Sequence, residues 1–249
     1  MTYCLAIRID DGLVLASDSR TNAGVDDVSI YSKMHCFDTR DDRVVVLLSA
    51  GNLATTQAVT KQLDRDLATV SERSLDGPEH LDDLARYVGE VSQRVQSDFS
   101  GEAEQQSSIM KASFILAGQI KGQPHEAFLI YPQGNFIAAS PTKPFLQIGE
   151  TKYGKPILDR MIDPGISLER AARCALISMD ASMRSNLSVG PPIELLFYPA
   201  DSLSVERRRR FEAEDPYLRE LSQAWSSGLD RVFLELPRFD WESPGAQGE

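Results

Sequence analysis

The second residue of the chain, Thr2, brings together two groups that could do chemistry. A small residue at position 2 generally permits removal of Met1, and removal would leave the Thr2 hydroxyl beside a free α-amine. An α-amine titrates at about 7.7–8.0, much closer to neutrality than a lysine, and can accept the hydroxyl proton directly or through a water. Thr2 is therefore a candidate nucleophile that carries its own base. Because many chains begin with Met-Thr, its significance depends on the segments around it.

The hydrophobic pattern predicts blocks of strands and helices that would position this residue. The expected strands cover residues 3–9, 13–18, 28–37, 44–50, 112–120, 125–131, 136–139, 145–148, 193–198 and 232–236. The expected helices cover residues 52–72, 153–162, 167–186 and 205–229, and one more opens after Gly77-Pro78. Residues 21–24 and 101–108 are predicted turns or loops. Residues 44–48 are apolar at consecutive positions, so both faces of that strand should be covered.

This block order differs from the strict βαβα alternation of a doubly wound parallel sheet. Two antiparallel sheets stacked face to face, with helix pairs on both outer sides, accommodate it better. The sequence therefore predicts an α+β fold, a four-layer αββα sandwich, over residues 1–200. Residues 201–249 are predicted to form a C-terminal helical extension and tail packed on the same domain. The basic run Arg207–Arg210 would lie on a solvated or subunit-contacting face of that helix.

The segment from Asp11 to Arg20 carries a recognisable motif. Its sequence, D-G-L-V-L-A-S-D-S-R, closely resembles the D-G-V-V-L-A-A-D-S-R signature of proteasome β-subunits. Lys33 follows where that family has its active-site lysine, and Ser49-Ala50-Gly51 ends a strand as the family's S/A-G turn does. With Thr2-Tyr3-Cys4 and the run Asp18–Gly24, the pattern is similar to the Anbu branch, the bacterial ancestral β-subunits. The resemblance covers roughly residues 2–200 and implies the N-terminal nucleophile hydrolase fold.

The resemblance implies a role for each of these residues. Thr2 would be the nucleophile, and Lys33 would lower the pKa of its amine by like-charge repulsion and favour the developing alkoxide. Asp18 would pair with Lys33 and fix its position. The backbone N–H of Gly51 would donate to the oxyanion, because glycine lets a substrate carbonyl approach the main chain closely. Taken one at a time, Asp18 could also be an ordinary turn residue, Lys33 a solvated strand end and Gly51 a strand-to-helix hinge.

Two later elements depart from the family pattern. The family has a Gly-Ser-Gly turn whose serine helps to shuttle protons, and the matching stretch here places Glu150 or Thr151 at that position. The family's Asp-x-x-Ser-Gly element falls on residues 185–190, which keep Ser188 and lack the aspartate. We therefore expect Thr151 and Ser188 to contribute to a proton network that differs from the family's.

The same resemblance predicts where a substrate would lie. An extended peptide would run antiparallel between the segment around Thr21-Asn22 and Gly51. Thr21, Ser49 and Leu53 would line the first specificity pocket, for which we expect a small or aliphatic side chain.

Three hypotheses about function follow from these observations. The leading one is a threonine-type peptidase that acts by acyl transfer. The second, of a different class, is a self-assembling scaffold or binding subunit with little turnover, which the altered positions 150 and 185 would suit. The third is a hydrolase of an amide other than a ribosomal peptide. All three share self-association, into a closed ring or, as the Anbu resemblance favours, an open helical turn. The sequence makes no prediction about an ATPase partner.

The composition restricts the partners of the chain. A net charge of −11 argues against a nucleic-acid backbone as partner. No apolar run reaches the roughly 18 residues of a membrane span, and Arg8, Asp10 and Asp11 interrupt any signal peptide. The cysteines and histidines show neither zinc-site spacing nor a disulfide framework. The sequence therefore predicts a cytoplasmic protein with no metal and no organic cofactor.

Overall fold

A computed structural model describes residues 1–22, 28–69, 73–100 and 109–241. The chain divides into a first unit, Met1–Ala213, and a second unit that begins at Glu214. The predicted turn residues 23–24, the predicted helix end 70–72 and the predicted loop 101–108 lie outside the described residues.

The secondary structure follows the predicted block order. The strands are β1 (Tyr3–Ile9), β2 (Gly12–Asp18), β3 (Arg20–Asn22), β4 (Val28–Ile30), β5 (Met34–Cys36), β6 (Arg43–Gly51), β7 (Ala112–Ile120), β8 (Glu126–Ile130), β9 (Phe136–Ala138), β10 (Phe145–Gly149), β11 (Ile193–Pro199) and β12 (Arg208–Phe211). The helices are α1 (Leu53–Ala68), α2 (Leu81–Ser100), α3 (Lys155–Met161), α4 (Leu168–Ser185) and α5 (Pro216–Leu234).

The strands of the first unit form two antiparallel sheets. The first sheet is five-stranded with the order β10-β1-β2-β11-β12, and the second is five-stranded with the order β5-β6-β7-β8-β9. Strands β3 and β4 pair with each other as a short hairpin. Thr2 precedes β1, which lies between β10 and β2, so Thr2 is at the end of an inner strand of the first sheet, beside the end of β10.

Strand β6 shows how the layers stack. Val44, Val46 and Leu48 belong to the core between the two sheets. The intervening Val45 and Leu47 belong to a second core, which the second sheet forms with α1 and α2. A strand turns successive side chains to opposite faces, so an unbroken apolar run fits a position covered on both sides. The predicted burial of both faces is confirmed.

The outer face of the first sheet is covered by α4. Cys4 and Ala6 of β1 face the core between the sheets, so the alternating residues Leu5 and Ile7 point outward. There they meet α4, which contacts β1, β2 and β11, and α3 packs beside it. The layers are thus helix, sheet, sheet, helix. The predicted α+β fold, a four-layer αββα sandwich, is confirmed.

The predicted strand 28–37 is interrupted. The structure has two short strands, β4 and β5, separated by residues 31–33. Between these strands, Tyr31 donates its N–H to the carbonyl of Ser19. The side chain of Lys33 points into the interior, where it binds Asp18. A continuous strand could not place Lys33 against Asp18, so this tertiary contact overrides the local β-propensity of residues 31–33.

Two predictions near the C-terminus are wrong. Residues 208–211, expected in a helix, form β12 and pair with β11, because Phe211 is buried and the pairing completes the first sheet. The arginine run therefore lies on a strand rather than on a helix face. Residues 232–234, expected in a strand, continue α5, which ends shortly before Pro237.

Helix α5 is the regular element of the second unit. Its N-terminus is capped by Asp215, whose side chain accepts a hydrogen bond from the N–H of Tyr217 at 2.9 Å. Across the described ranges, no helix combines the length and the hydropathy that crossing a bilayer requires.

Replacing Leu47 by alanine should strongly destabilise the first unit. Leu47 is 0% exposed at the centre of β6, so the change removes buried methyl groups and leaves a cavity. We expect a loss of about 2–5 kcal/mol in the free energy of unfolding, measured by denaturant titration. The matched control is Leu187→Ala, where the side chain is 84% exposed and the cost should stay within about 0.5 kcal/mol. Equal effects of the two changes would contradict the assignment of this core.

Candidate active site

A buried ion pair joins Lys33 to Asp18. The Lys33 Nζ lies 2.7 Å from Asp18 Oδ1, and the two side chains are 7% and 0% exposed. Asp18 is the last residue of β2, and it also accepts N–H bonds from Tyr3 at 2.9 Å and Gly190 at 3.3 Å. Lys33 also donates to the carbonyl of Arg20 at 2.6 Å. Both carboxylate oxygens are therefore engaged, and two of the three ammonium donors of Lys33 are used.

The cost of burial explains why this pair is so fully bonded. Burial raises the pKa of the Asp18 carboxyl above its ordinary value, while the charge of Lys33 and the N–H donors of Tyr3 and Gly190 oppose this shift. Removing either partner would leave an uncompensated charge in the interior, which typically costs about 3–5 kcal/mol. The pair therefore fixes the position of the Lys33 ammonium.

The main chain of Thr2 is held on its carbonyl side. Its carbonyl accepts a hydrogen bond from the N–H of Glu150 at 2.6 Å. This approach depends on Gly149, which has a φ of +82° and whose Cβ, if it had one, would lie 2.0 Å from the Thr2 oxygen. Only glycine fits both the backbone conformation and the space. The end of β10 is thus shaped to hold Thr2.

Tyr3 anchors the residue that follows Thr2. Its hydroxyl lies 2.6 Å from Ser178 Oγ on α4 and accepts a bond from Gln147 Nε2 at 2.7 Å. Burial raises the pKa of Tyr3 to about 12, so the phenol stays neutral and can donate. With its N–H on Asp18, Tyr3 ties the start of β1 to both α4 and the ion pair.

The N-terminal amine lies within the field of the ion pair. Met1 precedes Thr2 in the structure, so the nitrogen of Thr2 is a peptide nitrogen and the free α-amine belongs to Met1. Burial lowers the pKa of this amine, the positive charge of Lys33 lowers it further, and Asp18 opposes both. An amine on Thr2, one residue closer to the Asp18-bound N–H of Tyr3, would meet the same groups.

Gly51 is the last residue of β6, just before α1. Its φ is +119°, and a Cβ there would lie 2.3 Å from the carbonyl oxygen of Lys111. Helix α1 begins two residues later, after Asn52 caps it by accepting a hydrogen bond from the N–H of Thr55 at 3.1 Å. Gly51 therefore lies at the N-terminal, partially positive end of α1, where developing negative charge is favoured.

One cavity of about 610 Å³ brings most of the predicted residues together. Thr2, Lys33 and Gly51 line it, and so do the predicted substrate-binding residues Thr21, Ser49 and Leu53. Asp18 lies behind Lys33, fully buried. The side chain of Asn22 lies outside the described part of the chain.

Thr151 and Ser188 do not line this cavity. Thr151 is exposed, and Ser188 is half-buried with its N–H donated to Asn186 Oδ1. Glu150 is the buried residue of this turn, and its carboxylate accepts from Asn186 Nδ2 at 3.0 Å and from the N–H of Lys152 at 3.1 Å. Of the two residues considered for the family's serine position, Glu150 is the one directed inward.

Sequence reasoning missed several residues that line the cavity: Tyr31, Ser32, His35, Thr56 and Gln57. Two signals could have found some of them. His35 follows Lys33 by two residues, and residues two apart in a strand point to the same face of the sheet. Thr56 and Gln57 follow Leu53 by three and four residues on α1, which places all three on one side of the helix. Within the described ranges, no cluster of His, Cys, Asp and Glu is grouped to hold a metal ion.

Ser32 links the Lys33 loop to the first sheet. Its hydroxyl donates to Glu194 Oε2 on β11 at 2.8 Å. Glu194 Oε1 also lies 3.8 Å from Nη1 of Arg210 on β12. The carbonyl of Lys33 accepts the N–H of Ser49 at 2.9 Å. Contacts from both sheets therefore hold the loop that carries the lysine.

Known proteins resemble this chain over nearly its full length. The sequence matches the family described as "Proteasome subunit" over residues 2–197. No protein among those with curated descriptions matches it. A solved structure of Anbu (ancestral beta-subunit) from Yersinia bercovieri is 42% identical, with a TM-score of 0.89 over 96% of this chain and 100% of that one.

Two further solved structures agree with these matches. An Anbu (Gly-1) mutant from Hyphomicrobium sp. strain MC1 is 44% identical, with a TM-score of 0.88 over 96% of this chain and 100% of that one. The helical assembly of the Anbu complex from Pseudomonas aeruginosa is 42% identical, with a TM-score of 0.89 over 99% of this chain and 100% of that one. The fold, the family match and these identities show that the chain belongs to the proteasome subunit family, in its Anbu branch.

Proposed function

We propose that this chain is a threonine-type N-terminal nucleophile hydrolase that cleaves peptide or related amide bonds, with Thr2 as nucleophile after removal of Met1. One observation carries the proposal: Thr2 lines the same cavity as Lys33, and the ammonium of Lys33 is fixed by the buried Asp18. A buried lysine held beside a residue that can carry both a hydroxyl and an amine is the arrangement that activates such a nucleophile.

The reaction follows from the groups around Thr2. Its α-amine accepts the proton of its own hydroxyl, and Oγ1 attacks the substrate carbonyl to form a tetrahedral oxyanion. The N–H of Gly51, near the N-terminal end of α1, donates to this oxyanion. The amine then returns the proton to the leaving nitrogen, and an ester on Thr2 remains. Water, deprotonated by the same amine, attacks the ester and releases a carboxylic acid and free Thr2.

Lys33 contributes through its charge. Its ammonium disfavours a second positive charge nearby, so it lowers the pKa of the Thr2 amine and keeps the base unprotonated near neutrality. The same charge favours the alkoxide that forms on Thr2. Asp18 acts as a positioning residue, since it holds Lys33 and, through the N–H of Tyr3, the main chain next to Thr2.

Self-association is the second part of the proposal. The relative from Pseudomonas aeruginosa forms a helical assembly, and its chain is matched along its whole length. We infer that this chain also associates with copies of itself, as a ring or an open helical turn.

One observation favours a binding subunit with little turnover as the alternative. Glu150, one of the two residues considered for the position of the family's proton-shuttling serine, is buried, and its N–H holds the Thr2 carbonyl. A carboxylate only accepts hydrogen bonds, so it cannot relay a proton as a serine hydroxyl does. Without that relay, Thr2 would turn over little substrate.

The experiment that tests the function is intact mass spectrometry of purified protein treated with a peptide epoxyketone, which reacts with the N-terminal amine and the hydroxyl together. We expect loss of Met1 and addition of one reagent molecule. Thr2→Ser should retain the adduct because it keeps both groups, whereas Thr2→Ala should lose it completely. A protein that has lost Met1 and takes up no reagent from varied peptides would favour the binding subunit instead.

Replacing Gly149 by alanine should displace Thr2. The new Cβ would lie 2.0 Å from the Thr2 carbonyl oxygen, so β1 or the turn must move. A displacement near 1 Å can cost roughly 100-fold in rate, and we expect a loss of that order in epoxyketone labelling. Gly122→Ala is the matched control, because its φ of +79° carries the same backbone strain while nothing lies within 4 Å of the new Cβ. Normal labelling of the Gly149 variant would contradict the proposed placement of Thr2.

A further inference from the structure

One wall of the cavity beside Thr2 is polar and uncharged. His35 of β5 and Thr56 and Gln57 of the first turns of α1 line the cavity there. His35 pairs with Leu47 across the strands and so shares the face of the second sheet that α1 covers. Leu53, at the start of the same helix, adds an apolar surface nearby. The wall can therefore hold a side chain with an alkyl stem and a polar tip.

Two groups on this wall have unused hydrogen-bonding capacity. Among the residues that the structure describes, neither the imidazole of His35 nor the side-chain amide of Gln57 has a protein partner. Thr56 differs, because its hydroxyl already donates to the carbonyl of Leu53 at 3.0 Å. A neutral imidazole offers one donor and one acceptor, and a carboxamide offers both kinds as well. His35 and Gln57 together thus present donors and acceptors to whatever enters.

The electrostatics of this wall disfavour a charged occupant. Burial lowers the pKa of His35 below its ordinary 6.5, against the opposing charges of Asp64 on α1 and Glu194 on β11, so the ring is neutral at pH 7. Lys33 also lines the cavity, but Asp18 balances its charge. Arg208 of β12 acts on the neighbouring Cys36 rather than on His35. Neither Asp64 nor Glu194 lines the cavity, so the wall itself offers no charged partner to a carboxylate or to an ammonium.

We propose that this wall forms a pocket for a carboxamide side chain, so that the residue whose carbonyl Thr2 attacks is glutamine or asparagine. The proposal rests on the proposed function and names its substrate class. A carboxamide carries both a donor and an acceptor, so it can satisfy His35 and Gln57 at once. An alkyl chain of equal length would bury both groups without partners, which is the more costly outcome. This preference replaces the small or aliphatic side chain expected from the sequence.

The test is a binding measurement that does not depend on turnover. The Thr2→Ala protein is titrated with two N-acetylated tripeptide amides that differ only in a C-terminal glutamine or norleucine, and the imidazole signals of His35 are followed by NMR. We expect the glutamine peptide to bind roughly tenfold more tightly than the norleucine peptide, a difference that one or two net hydrogen bonds can supply. It should also shift the His35 signals. In the His35→Leu variant the two affinities should come within about twofold.

The control is His80→Leu, which removes an exposed imidazole that contacts Gln123 outside the cavity and should leave the preference intact. Equal binding of the two peptides, tighter binding of norleucine, no binding of either, or a preference that survives His35→Leu would each overturn the proposal. The result is separable from epoxyketone labelling. A protein that is labelled but shows no glutamine preference keeps the proposed function and loses this inference, whereas the reverse result points to a binding subunit with this pocket.

Discussion

The buried ion pair between Lys33 and Asp18 is the interaction on which the candidate site depends. An ammonium and a carboxylate this far from water are tolerated only when both are paired and hydrogen-bonded. The chain supplies those bonds from separate segments: the N–H of Tyr3 on β1, the N–H of Gly190 before β11, and the carbonyl of Arg20 on β3. The pair therefore ties the start of β1, the end of β2 and the turn before β11 to one point, next to Thr2.

The main chain of the sandwich also holds Thr2 in place. The end of β10 holds the Thr2 carbonyl, which only Gly149 permits at that distance. The end of β6 places Gly51 close to the N-terminal end of α1, and Gly51 lines the same cavity as Thr2. In our proposals, Lys33 activates Thr2 and the polar wall near His35 recognises the substrate.

The block order of strands and helices was sufficient to predict the layers. The motif was sufficient to predict that Thr2, Lys33 and Gly51 lie together, because these residues belong to a compact signature near the N-terminus. Features set by contacts distant in sequence were not predictable. The break in strand 28–37 arises from the attraction of Lys33 to Asp18, and β12 forms because β11 offers a pairing edge. Likewise, the burial of Glu150 rather than Thr151 depends on Asn186, which only the fold brings close.

The measurement that tests the central claim most directly is an NMR titration of the ¹⁵N-labelled α-amine of Thr2 in protein that has lost Met1. In the structure, where Met1 carries the N-terminal amine, burial lowers the pKa of this amine, Lys33 lowers it further and Asp18 opposes both. A lowered pKa means more free base at neutral pH, so we predict a midpoint clearly below the value of about 8 for an exposed amine. A midpoint at or above about 8 would contradict the account, because it would show that burial and Lys33 do not lower the pKa of this amine.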